Sequence, residues 1–168
     1  MMELLEYLRT SVKTVNDMVE TAMQDLTDEV VNFHAGGTSN TIAQLLAHMV
    51  SGQDLLINDR IGGGRSLHET GWAEKTGIPL ERPLIWERDG WELDLAGFDA
   101  YRKEIAGRVE STFAALTPAD LERDIDWLRG IRRPLPLMTQ TVLINHGMGH
   151  CGEISTLKGI QGLKGLPI

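Results

Sequence analysis

From residue 3 to residue 25 the chain runs without a glycine or proline, while Leu4, Leu5, Leu8, Val12, Val15, Val19 and Met23 recur at three- and four-residue spacings. Apolar residues at that period gather on one side of an α-helix, whereas on a strand they would scatter over both faces. The stretch therefore reads as an amphipathic helix, and its apolar stripe needs other helices to bury it. The signature recurs. Ile42, Leu45, Leu46, Met49, Leu55 and Leu56 mark a second helix, with Ser39 or Asn40 as its cap and Gly62-Gly63-Gly64 as its end. Phe98, Tyr101, Ile105, Val109, Thr112, Phe113 and Leu116 mark a third over 98–116. A fourth opens at Thr139 or Thr141 and runs to about Gln161. Thr27-Asp28-Glu29 and Thr117-Pro118-Ala119-Asp120 each start a shorter helical turn. No segment alternates convincingly as a strand. The expectation is an all-α protein, one domain over 1–168, packed as a four-helix bundle.

Two stretches break the pattern. Residues 62–95 place Trp72, Trp86 and Trp91 among glycines, prolines and charges without a period, which suggests a long excursion between two helices. Its tryptophans either wall a pocket or anchor the loop to the body, the second being the simpler reading. Residues 126–138 are irregular and contain Trp127. The last helix also carries Gly147, Gly149, Gly152 and Gly159, each costing about 1 kcal/mol relative to alanine in a helix interior. Such a helix points to close approach by a neighbour, a ligand or a second subunit.

The net charge of −8 argues against a nucleic-acid backbone or an anionic membrane surface as the main partner. Arg129, Arg132 and Arg133 form the one dense basic cluster, which reads as a solvated loop beside Pro134 and Pro136. The N-terminal run Met1-Met2-Glu3-Leu4-Leu5-Glu6 is acidic where a secretory signal begins basic, and no stretch has the length to span a bilayer, so a cytoplasmic location is expected. The single cysteine, Cys151, excludes an intrachain disulfide and reads as a small core residue.

Chemistry enters through histidine. His146 and His150 stand four residues apart in Asn145-His146-Gly147-Met148-Gly149-His150, one turn apart on one helix face. Chance pairs at this spacing are common, and a lone histidine on an apolar face is usually a core residue with a satisfied hydrogen bond. Here Leu143, Gly147, Ile154 and Leu157 lie on the same side, where two imidazoles cost desolvation unless something binds them. His48, on the apolar side of the second helix, can complete a three-nitrogen set for one divalent ion. Three protein ligands with further positions open are the arrangement of a catalytic metal. His34 and His68 lie in loops without a partner at helical spacing and are not expected to be ligands. Glu153, three residues after His150, is the acidic residue best placed to assist catalysis, with a plain solvent-facing charge as the alternative. Asn145, about 100° round the helix from His146, is a weaker supporting group.

Two motifs carry a family resemblance. Asn40-Thr41-Ile42-Ala43-Gln44-Leu45-Leu46-Ala47-His48 resembles the second-helix motif of the DinB-like (YfiT-like) superfamily, and His146-Gly147-Met148-Gly149-His150-Cys151-Gly152-Glu153-Ile154 resembles its last-helix motif. The order of elements agrees over nearly the whole chain, except at 62–95 and 126–138. The resemblance implies a helical bundle and a divalent metal ion, such as zinc or nickel, held by His48, His146 and His150. The better understood relatives are low-molecular-weight-thiol S-transferases and a thiol-dependent isomerase. By that resemblance a small thiol would be the second cofactor, a small electrophile the substrate, and a homodimer the expected assembly. A metal-dependent hydrolase and a non-catalytic metal- or ligand-binding dimer are the alternatives. A DNA-associated role, suggested by the family's name alone, is opposed by the acidic balance.

Overall fold

The computed structural model describes residues 3–80 and 90–166. The expectation for Trp86 lies outside them. The first helix, α1 (Leu4–Ala22), buries Leu5, Leu8, Val12, Val15, Val19 and Ala22; its stripe starts one residue later than the spacing suggested, and Leu4 is half exposed. A five-residue helix, α2 (Asp28–Asn32), starts on Thr27, whose hydroxyl accepts from Val30 N. The cap of α3 (Ile42–Asp54) is Thr41, neither Ser39 nor Asn40. Thr41 Oγ1 accepts from Gln44 N while Gln44 Oε1 accepts from Thr41 N. This reciprocal pair satisfies two otherwise orphaned donors, which a cap at Ser39 or Asn40 would leave open. Beyond Asp54 the helix continues as a wider π-helical run, Leu55–Ile61, so residues 42–61 form one rod. Nearly every side of α3 is buried, making it the central helix of the molecule.

After a short α4 (Trp72–Thr76), α5 (Leu95–Ala115) starts three residues before the expected Phe98, because Asp94 Oδ1 accepts from Gly97 N and caps it there. The stretch expected to be irregular holds a two-stranded antiparallel hairpin, β1 (Asp124–Asp126) and β2 (Arg132–Pro134), with Ile125 opposite Arg133. Three-residue strands are too short to print a period on the sequence. The last helix also begins earlier than Thr139. It opens as α6 (Leu135–Met138), widens into a π-helical run over Thr139–Asn145, and continues as α7 (His146–Ile160). Pro136 sits in its first turn, where a missing N–H costs nothing.

Among the described residues, the long helical runs 4–22, 42–61, 95–115 and 135–160 share one core. Both α1 and α3 pack against α5 and against α7, and buried side chains from all of them join one cluster. Close approach explains one of the last helix's glycines. A Cβ at Gly147 would lie 2.5 Å from Val15 Cγ1, so α7 meets α1 through the bare backbone. At Gly149, Gly152 and Gly159 a Cβ would meet nothing within 4 Å.

The excursion is tied down from within. Asp54 is buried at the end of α3 and accepts from Leu67 N, His68 N, Asn58 Nδ2 and the Tyr101 hydroxyl, the last at 2.6 Å. His68, expected in a loop, is fully buried in a single 3₁₀ turn and donates from Nε2 to Pro79 O at 3.0 Å. The Trp72 ring lies 5.6 Å from that of Tyr101, and Trp91 packs partly buried against the core. For these two tryptophans the anchoring role holds.

Candidate metal centre

Two helices build the site. His48 projects from α3, six residues before Asp54, and His146 and His150 from the first two turns of α7. All three rings sit at the margin of the core, half-buried, while Leu143, Gly147, Ile154 and Leu157 beside them are buried. The α7 face is thus apolar at its centre and carries its partly buried imidazoles along one edge. The glycine at position 52, one turn after His48, lies beside His146; a Cβ there would make only ordinary contact with the ring, 3.8 Å from Cε1.

The three histidines converge. One ligand nitrogen from each lies within 4.8 Å of the others. The ring centroids are 4.5 Å apart for His48 and His146, 5.2 Å for His48 and His150, and 4.4 Å for His146 and His150, all edge to face. His146 Nε2 is 2.8 Å from His48 Nε2. His150 Nδ1 is 2.6 Å from Glu153 Oε2, and His150 Nε2 is buried without a hydrogen-bond partner. His34 and His68 belong to no such group among the described residues. Asn145 turns away, accepting from Gln140 Nε2 at 2.6 Å.

The electrostatics favour neutral rings. Burial, then repulsion from His146 and His150, depresses the pKa of His48 to about 4. Burial and repulsion from His150 take His146 to about 4, against the pull of the Val142 carbonyl and of Glu153. At neutral pH both rings keep a lone pair, the state in which imidazole binds metal. Three nitrogens with no oxygen among them suit a borderline ion such as zinc, nickel or copper and do not suit calcium or magnesium. Two nitrogens on one tetrahedral centre stand about 3.3 Å apart with bonds of about 2.0–2.1 Å, so His48 and His146 need to part by about 0.5 Å. The residues fit a divalent ion, and the unpartnered Nε2 of His150 is the clearest sign of it.

Two features escaped the sequence reading. Asp54 was hidden in an apolar run, and a carboxylate standing alone there was the available signal. Lys158 is 2% exposed at the core end of α7 and donates to Ala22 O and Gln24 O, closing the last turn of α1. Its signal was a charge four residues after Ile154, on the buried face. Cys151 is fully buried, and burial pushes its thiol up to about 11, as expected of a small core residue.

A helical fold with three histidines converging from its second and last long helices defines a class of bundle proteins able to hold a divalent ion. The chain belongs to the DinB superfamily, whose family model matches residues 11–154. It is also similar in fold to a crystal structure of a conserved protein from Enterococcus faecalis, with a TM-score of 0.71 at 14% identity, covering 95% of this chain and 98% of that one. No curated protein matches the sequence. Among the described residues no helix is long and apolar enough to cross a membrane.

Proposed function

We propose that the protein is a metal-dependent enzyme acting on a small electrophile, with His48, His146 and His150 as the ligands of one divalent ion. The observation that carries this reading is the convergence of exactly these three imidazoles, with no carboxylate or thiol joining the group among the described residues. Three neutral ligands leave the ion its full charge and leave coordination positions for a reactant. A bound ion of this kind supplies Lewis-acid chemistry, lowering the pKa of a water or thiol strongly.

The chain's own residues set the conditions. The imidazoles are partly buried, and the apolar side of α7 lowers the dielectric around them. Cys151 stays protonated in the core, so a reacting thiolate has to come from a small molecule. A thiol S-transferase or isomerase is the preferred reaction class, on the strength of the superfamily resemblance. Hydrolysis is the alternative at the same site. A homodimer and a cytoplasmic location remain part of the proposal.

The test is spectroscopic. Protein loaded with Co²⁺ and given a small thiol should develop a sulfur-to-metal charge-transfer band, which His150→Ala should abolish. An unchanged spectrum, together with no turnover of test esters or amides, would leave a binding protein rather than an enzyme.

A further inference from the structure

Glu153, read from the sequence as either a catalytic helper or a plain solvent-facing charge, is hydrogen-bonded to one of the three candidate ligands. Oε2 is 2.6 Å from His150 Nδ1, and the glutamate side chain is 58% exposed against 16% for the histidine. In that contact the carboxylate oxygen accepts, so Nδ1 carries the proton. In a neutral imidazole the lone pair then falls on Nε2, the nitrogen that is buried and unpartnered, in a ring whose centroid lies 5.2 Å from that of His48 and 4.4 Å from that of His146. The spacing of three residues on one helix holds the pair together without help from another element. His146 feels the Val142 carbonyl one turn earlier and, more weakly, the Glu153 carboxylate.

We propose that Glu153 is a positioning residue, which holds His150 in the tautomer that presents Nε2 to the cluster and strengthens that nitrogen as a metal donor. The tautomer half stands on the geometry alone, and the donor half rests on the metal-site reading above. A carboxylate behind a ligating imidazole fixes the orientation of the ring and raises its basicity, and losing it typically weakens metal binding by about 10–100-fold.

The two halves are tested separately on the full chain. In metal-free protein labelled with ¹⁵N at histidine, long-range proton–nitrogen correlation spectra at neutral pH read the tautomer of His150. Wild type and Glu153→Gln, whose amide oxygen can still accept, should show Nδ1–H. Glu153→Ala should lose that preference. Zinc dissociation constants from chelator competition should then rise by about 10–100-fold in Glu153→Ala and by less in Glu153→Gln. An identical His150 tautomer in wild type and Glu153→Ala overturns the positioning role. A zinc affinity unchanged in Glu153→Ala overturns the donor half. Wild-type protein that binds no zinc, yet keeps the Glu153-dependent tautomer, overturns the metal-site reading and leaves the positioning role standing.

Discussion

At the scale of single residues, the site turns on which histidine nitrogens are engaged by something other than an ion. His68 Nε2 is committed to Pro79 O inside the core, and His34 Nδ1 accepts from Gly36 N in an exposed turn. His48, His146 and His150 face one another instead. Replacing any of these three by alanine should take zinc content, measured by elemental analysis of purified protein, from near one ion per chain to near zero. His34→Ala should leave it unchanged; a drop there would mean that the ligand set is different. Cys151 offers a second test at this scale. Buried and held protonated, it should resist a thiol reagent in folded protein and react at once in denaturant, and fast modification of the native state would contradict its placement. The three histidines were legible because ligand spacing is local in α7 and His48 shares the apolar side of its own helix. Asp54 and Lys158 were not, because what permits a buried polar side chain is its partners, and those come from segments far along the chain. Asp54 draws donors from 67, 68 and 101, and Lys158 draws acceptors from 22 and 24.

At the scale of elements, the helices were legible and their edges were not. The apolar period of α1 or α5 survives any small error in its ends, whereas a terminus is set by one hydrogen bond, such as Asp94 Oδ1 with Gly97 N. The two π-helical runs left no trace in the sequence, since a widened turn alters which carbonyl each N–H meets without altering the apolar residues. One of them, Thr139–Asn145, ends immediately before His146, and so sets the rotation at which α7 delivers its two histidines. The glycines of α7 separate two effects that sequence alone merges. Gly147→Ala would drive a methyl into Val15 Cγ1, and a β-branched side chain on a helix has little rotamer freedom to yield. It should destabilise the protein by about 1–3 kcal/mol in denaturant unfolding. Gly152→Ala adds its methyl in open space and should stabilise by about 0.5–1 kcal/mol, the helix-propensity gain alone. Equal effects from the two would mean that α7 does not approach α1 at Gly147. A loss at Gly152 would mean that its open face is covered in solution by something else, a second copy included.

At the scale of the whole molecule, the candidate ligands join the second and last long helices, so ion binding and folding are coupled across the core. The metal-free protein should respond to acid in a definite direction. Both His48 and His146 have folded pKa values near 4, below the ordinary histidine value of 6.5. Between those limits the unfolded chain binds more protons than the folded one, so stability rises with pH through that window and levels off above about 6.5. Falling pH should therefore lower the melting temperature of metal-free protein progressively from about 6.5 toward about 4, with partial exposure of both rings reducing the size of the effect. Zinc should add to stability above the window, because it binds the same lone pairs that protons occupy within it. At a free concentration near 1,000 times its dissociation constant, one ion bound only by the folded state adds about 4 kcal/mol. For a chain of this size that is a rise of roughly 10 °C in melting temperature at neutral pH, shrinking as the pH falls. Replacing His48 removes the ligand from α3 and should abolish most of the rise while leaving both α7 histidines in place. If zinc raised the melting temperature as much in His48→Ala as in wild type, the ion would be held by α7 alone, and the link between the two helices would be lost.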